Sequence, residues 1–168
     1  MIRHNNIIQQ LVTIYKPKSY LELGLYEGET FNLVKPLVDN AVGVDINPSI
    51  SIDGEIHTCT TNNYFDTCKE MFDFIFIDAE HKYESVKTDF YNSVKHLNPR
   101  GLICLHDTDP ENNSLFDFSR CGDAYRFVSD LEKNPSFNIL TLPVAEAGLS
   151  IVTRVNETRT NLRNMNYD

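Results

Sequence analysis

The residues with most to offer chemically sit where apolar runs give way to polar ones. Glu22-Leu23-Gly24-Leu25-Tyr26-Glu27-Gly28-Glu29-Thr30 ends one such run, and its two glycines permit backbone torsions or a close ligand approach that a side chain would forbid. A ligandless strand-to-helix turn uses glycines in this way, and so does a dinucleotide site. Charge separates these readings. Glu22, Glu27 and Glu29 crowd the place where a dinucleotide would set its pyrophosphate, and like charges brought together there are costly, whereas a cationic ligand is welcome. Asp45 follows the glycines by about 20 residues, where a carboxylate accepts hydrogen bonds from both hydroxyls of an adenosine ribose. Its plainer duty would be to prepare the Asn47-Pro48 turn. Thr60 and Asn62, just past a third apolar run, are placed to meet an adenine edge. Asp78 with His81, and His106 with Asp107, close two further runs, so two carboxylates and two imidazoles should converge. Turn formation and helix capping are the structural alternatives for each.

Positioning these residues calls for alternating strands and helices. Ile7, Ile8, Leu11, Val12 and Tyr15 recur at helical spacing, which predicts a helix over residues 4–16, ended by Pro17. Strands are expected at 20–25, 42–46, 56–60, 72–78, 102–105, 137–142 and 149–155. Phe72 to Asp78 is nearly continuous in apolar content, as a strand buried on both faces requires, and should be central. The helix opened by Gly28 should be shortened or kinked at Pro36, which lacks an N–H and crowds the carbonyl four residues back. Little room separates the second strand from the third, so their connection should be irregular. A helix-like segment is expected at 64–70, and a helix marked by Tyr83, Val86, Phe90, Val94 and Leu97 should close at Asn98-Pro99-Arg100-Gly101. A further helix covers 123–133, and the last two strands should form an antiparallel hairpin. The fold class is therefore α/β, a doubly wound Rossmann-like mixed sheet of seven strands with the last antiparallel. Ligands of such sheets bind outside the carboxyl ends of the strands.

With 168 residues the chain suits one domain, expected over residues 1–155, with a polar and disordered tail at 156–168. At 41% hydrophobic and 23% charged it is neither disordered nor low in complexity. A formal charge of −9 with no basic patch argues against nucleic-acid binding and against docking on an anionic membrane. There is no signal-type apolar region and no run near the roughly 20 residues needed to span a bilayer, so a cytoplasmic location is the expectation. The four cysteines form no CxxC pair and read as packed or incidental thiols.

Taken in order, Glu22-x-Gly24-x-Tyr26-x-Gly28-x-Thr30, Val44-Asp45, Phe76-Ile77-Asp78-x-x-His81-x-Tyr83, Leu97-x-Pro99-x-Gly101, Leu105-His106-Asp107-Thr108 and Gly148-Leu149-Ser150-Ile151-Val152 resemble the class I S-adenosylmethionine-dependent methyltransferases. They look most like the small-domain branch that includes sugar and natural-product O-methyltransferases. The match runs from about residue 19 to about residue 155. The resemblance implies S-adenosylmethionine as cofactor, and its net positive charge agrees with the acidic turn. The cofactor set read from the sequence is Glu22, Gly24, Tyr26, Gly28, Thr30, Asp45, Thr60, Asn62 and Asp78.

By the same resemblance His81 is the candidate general base, and an ordinary pKa of about 6.5 would leave it mostly neutral. Asp78 and Asp107 match carboxylates that hold a divalent cation in metal-dependent relatives, which makes them candidate ligands for Mg²⁺ or another divalent cation. Catechol-type members carry an amide after the second carboxylate, where this chain has Thr108. Asp78-Ala79-Glu80-His81 replaces the Asp/Asn-Pro-Pro-Tyr sequence of nucleic-acid amino methyltransferases, which favours an oxygen nucleophile on a small molecule or sugar. Tyr83, Glu80, Phe116 and Phe118 are candidates to line the acceptor pocket. A homo-oligomer is compatible with so short a chain. The alternatives are a nicotinamide-dependent oxidoreductase and a catalytically silent cofactor-binding module.

Overall fold

The computed structural model describes residues 2–49, 53–145 and 147–155. In chain order the elements are α1 (His4–Tyr15), β1 (Ser19–Leu23), α2 (Glu29–Val34), β2 (Asn40–Asp45), β3 (Glu55–Thr58), α3 (Thr61–Thr67), β4 (Phe72–Ile77), α4 (Tyr83–Lys95), β5 (Leu97–His106), α5 (Ala124–Leu131), β6 (Phe137–Leu142) and β7 (Leu149–Arg154). The seven strands form one sheet in the order β3-β2-β1-β4-β5-β7-β6. β1 to β5 run parallel, and β7 lies antiparallel between β5 and β6. The chain order reverses between β1 and β4, which sets a crevice beyond their carboxyl ends.

Period-two alternation divides the core between the two faces of the sheet. Tyr20, Phe74, Phe76 and Cys104 pack against Ile8 and Val12 of α1 and Phe31 and Val34 of α2. Leu21, Leu23, Ile75, Ile77 and Ile103 pack against Val86 and Phe90 of α4 and Phe127, Val128 and Leu131 of α5. β4 is buried on both faces, as its near-continuous apolar content requires.

Pro36 acts as expected: α2 stops at Val34 and the chain continues as one 3₁₀ turn over Lys35–Leu37. No helix joins β2 to β3 among the described residues. One expectation is corrected. Asn98-Pro99-Arg100-Gly101 does not close α4 as a turn but belongs to β5. The register there explains it: Phe72 pairs with Leu97 while Phe74 pairs with Leu102, so β5 carries extra residues in an irregularity that tolerates the N–H missing from Pro99. The expected tail at 156–168 lies outside the described residues.

Candidate active site

The turn after β1 is shaped by close backbone contact. Gly24 adopts φ +87°, and a Cβ there would lie 2.1 Å from the carbonyl oxygen of Asp78, so only glycine lets the ends of β1 and β4 approach this closely. The chain then passes Tyr26 at φ 48° and reaches Gly28, the left-handed cap of α2. Asp45 holds this turn from the end of β2. Its Oδ2 accepts from the backbone N–H of Leu25 at 2.7 Å and of Tyr26 at 3.1 Å, and its Oδ1 accepts from the N–H of Asn47 at 2.7 Å. The carboxylate therefore prepares the Asn47 turn and braces the glycine turn together, and remains partly exposed at the crevice.

Beyond β4 and β5 the second group of residues closes into a cluster. His81 Nε2 lies 3.1 Å from Asp107 Oδ2 and 3.8 Å from Asp78 Oδ1. His106 Nδ1 lies 3.1 Å from Asp78 Oδ1 and 3.4 Å from Asp107 Oδ2. Asp107 has φ +61°, a left-handed conformation uncommon for a residue with a side chain, held here among the residues it contacts. The backbone of His81 is fixed by Gly122, where a Cβ would fall 2.3 Å from the His81 carbonyl oxygen, and by the N–H of Asp123, which donates to that same oxygen.

The cluster sets its own protonation. Burial pushes the Asp78 carboxyl up, but the charge and hydrogen bond of His106, joined by His81, hold it well below the usual carboxylate range. Burial likewise opposes a charged His106, yet the charges of Asp78 and Asp107 and the bonds to both raise it to about 10. His81 is also raised: burial lowers it, while the bond to Asp78 and the charges of Asp107 and Asp78 outweigh that. Acidic and imidazole side chains thus favour one another's charged forms in a poorly solvated site. The buried Cys121 thiol also bonds Asp107, and burial followed by that carboxylate pushes it up to about 12.

Residues 21–108, more than half of the chain, match the family model described as a methyltransferase domain. The chain belongs to this methyltransferase family. No curated protein is similar enough in sequence to stand as a relative. Among solved structures, a putative caffeoyl-CoA O-methyltransferase from Staphylococcus aureus is similar over 92% of this chain and 85% of its own, with a TM-score of 0.73 and 18% identity. An O-methyltransferase from Bacillus cereus in complex with SAH is similar over 90% and 80%, with a TM-score of 0.70 and 18% identity. The N-methyltransferase NodS from Bradyrhizobium japonicum is similar over 88% and 91%, with a TM-score of 0.63 and 15% identity. At these identities the likeness is one of fold, and it is shared by enzymes that methylate different atoms.

In this methyltransferase several residues read from the sequence lie elsewhere than expected. Glu22 does not line an open crevice: it is 2% exposed and accepts a hydrogen bond from Tyr20, and burial pushes its carboxyl well above the usual range. Glu29 is engaged by Arg3 and Asn5, so of the three acids only Glu27 faces water without a partner in the described residues. The charge argument drawn from the turn is weakened accordingly. Thr30 is buried in α2, and the Tyr26 side chain is 82% exposed. Thr60 caps α3 by accepting from the N–H of Asn63, and Asn62 sits exposed in the first turn of that helix. Tyr83 bonds Asp130, and Glu80 bonds Ser85 and pairs with Lys82, so neither reaches the cluster. Phe116 stacks on Tyr125 and borders a cavity of about 420 Å³ lined also by Thr108, Glu132 and Thr141, while Phe118 is exposed outside it.

One residue escaped the sequence reading altogether. The ring of His4, the first residue of α1, lies 3.9 Å from the ring of His106 and 5.9 Å from that of Phe76. Nothing in the local sequence signals this, because the contact joins positions about a hundred residues apart through the docking of α1. Burial, followed by the charge of His106, lowers His4 to about 4, which leaves it neutral beside the charged pairs.

Proposed function

We propose that this methyltransferase moves the methyl group of S-adenosylmethionine to a hydroxyl of a small molecule or sugar. The observation that carries the reading is the meeting of Asp78, His81 and Asp107 at the carboxyl ends of two adjacent strands, beside the glycine turn of a methyltransferase-family sheet. The adenosine would lie across the turn. Asp45, already committed to three backbone N–H groups, would keep one of its roughly four acceptor sites, on Oδ1, for a ribose hydroxyl. Gly24 and Gly28 would let the methionyl portion approach the backbone.

Methyl transfer is an in-line displacement. The acceptor oxygen forms a bond to the methyl carbon as the carbon–sulfur bond breaks, the bonding pair goes to sulfur, and the hydroxyl proton must leave. His81 is the base in this reading, with a correction to its resting state. The two carboxylates raise its pKa above the ordinary imidazole value, which favours the protonated ring in the bare cluster. The sulfonium of the donor, placed beside it, disfavours a second positive charge and favours the neutral ring that can accept a proton. Asp107, bonded to His81, then stabilises the imidazolium that forms.

One atom from each of Asp78, His81 and Asp107 lies within 4.8 Å of the others, and the two carboxylates suit a hard divalent cation, which would have to leave the His81 nitrogen uncoordinated for that ring to act as base. Such an ion, when bound, would acidify the acceptor hydroxyl. The cavity lined by Thr108, one residue beyond Asp107, supports an acceptor with both apolar and hydroxylated parts, because a stacked aromatic pair and hydroxyl and carboxylate side chains share its walls. A net charge of −9 supports a small-molecule acceptor over a nucleic acid.

Calorimetric titration with S-adenosylmethionine and with NAD(H) tests the donor. Saturable binding of the first alone is expected. Binding of NAD(H) alone would revive the oxidoreductase reading. Binding of S-adenosylmethionine with no methyl transfer to any member of a hydroxylated-acceptor panel would leave the silent module.

A further inference from the structure

Two contacts fix where α1 begins. Asn5, 7% exposed, donates to Glu29 Oε2 at 3.3 Å, and the Arg3 guanidinium lies 3.4 Å from the same oxygen. Ile8 and Val12 anchor the rest of the helix on the sheet and α2. Because Glu29 opens α2 next to the glycine turn, the first turn of α1 is carried to the carboxyl edge of the sheet. His4 projects from that turn onto His106, at a ring tilt of 52° and a centroid distance of 3.9 Å, with Phe76 behind it.

His106, like His81, faces both carboxylates through a single nitrogen, here Nδ1 at 3.1 Å from Asp78 and 3.4 Å from Asp107. A histidine ring turns about its last torsion in a broad, roughly two-fold well, so nothing in its own stereochemistry aims that nitrogen at Asp78 and Asp107. The packing around it must do so. On the side facing α1 that packing is His4.

We propose that His4 is a positioning residue for methyl transfer: its ring holds His106 in the orientation that spaces Asp78 and Asp107, so α1 is a working wall of the reaction site. The proposal rests on the functional reading above for its consequence in turnover, while its structural part stands on the ring contacts alone. It also predicts which substitutions are tolerated. A flat ring of similar width should serve, and a methyl group should not, because a loosely held His106 lets both carboxylates drift, and misplacement by about 1 Å can cost on the order of a hundredfold in rate.

The test compares wild type with His4→Ala and His4→Phe. The first readout is the downfield, solvent-protected imidazole N–H signal of His106 in proton NMR, assigned by its loss in His106→Gln. It should be present in wild type, lost or broadened in His4→Ala, and restored in His4→Phe. S-adenosylmethionine affinity should stay within about twofold in all three, and kcat with the acceptor found in the label-transfer panel should fall at least tenfold in His4→Ala and recover in His4→Phe. An unchanged signal in His4→Ala overturns the proposal, and so does a His4→Phe variant as defective as His4→Ala. A wild-type protein that shows the NMR pattern yet binds no S-adenosylmethionine would instead sink the functional reading and leave the packing role standing.

Discussion

Asp45 carries two duties at once, and its substitution should show both. Replacing it with Ala removes a carboxylate that accepts three backbone N–H bonds and, in the proposed complex, a ribose hydroxyl. Charge-assisted hydrogen bonds contribute about 1.5–3 kcal/mol each, so S-adenosylmethionine affinity should fall at least tenfold by calorimetry, accompanied by a lower melting temperature. Equal affinity in Asp45→Ala and wild type would remove the ribose role and leave only the turn. His81→Gln should keep S-adenosylmethionine affinity and lose about a hundredfold in kcat, the usual scale for a general base. A matched loss in His81→Gln and in an exposed control such as Lys69→Gln would show that His81 takes no proton. At this scale the sequence disclosed residue types far better than their surroundings. The pairs Asp78–His81 and His106–Asp107 were legible from their places after apolar runs. The raised pKa values of Glu22 and His81 were not, since the first depends on burial and the second on carboxylates brought in at the ends of other strands.

At the level of elements, the approach of β1 to β4 depends on Gly24. Gly24→Ala would place a methyl group against the Asp78 backbone at an unfavourable φ, and should destabilise the fold by more than about 3 kcal/mol in chemical denaturation. A change under about 0.5 kcal/mol would mean that the two turns are not in contact. α4 offers a pH-dependent test well removed from the cluster. Asp89 is 3% exposed, and burial, only partly offset by a hydrogen bond from Thr61, raises its carboxyl to about 6 from an ordinary 3.8. The folded state therefore binds the proton more tightly than the unfolded chain, so stability falls as pH rises through this window and stays reduced above it. Asp89→Asn should be the more stable protein at pH 8, by an amount on the order of 3 kcal/mol, and should lose that advantage near pH 4. A constant difference across the range would place the charge in water. The helices and strands themselves were largely readable from apolar periodicity. The exception, the strand through Pro99, was hidden because Pro and Gly mark a turn in isolation and an irregular strand only when a partner such as β4 supplies the register.

Across the whole molecule, the sheet brings the glycine turn, Asp45 and the Asp/His cluster to one edge, and that convergence was legible from topology alone: in a doubly wound sheet every strand end points there. The arrival of α1 at the same edge was not legible, because a helix preceding β1 can dock in several ways and only its contacts with Glu29 and His106 choose one. If the carboxylate pair works with a divalent cation, turnover should fall to background in excess chelator and return with Mg²⁺ or Mn²⁺. Full activity in chelator would assign the cluster to acid–base chemistry alone. The central claim, transfer of a methyl group from S-adenosylmethionine to oxygen, is tested most directly by incubating the protein with ¹³C-methyl-labelled S-adenosylmethionine and hydroxylated acceptors, then reading the carbon spectrum of the product. A new methoxy resonance that disappears in His81→Gln is the predicted result; a label found on nitrogen, or retained entirely on sulfur with every acceptor, would contradict the account.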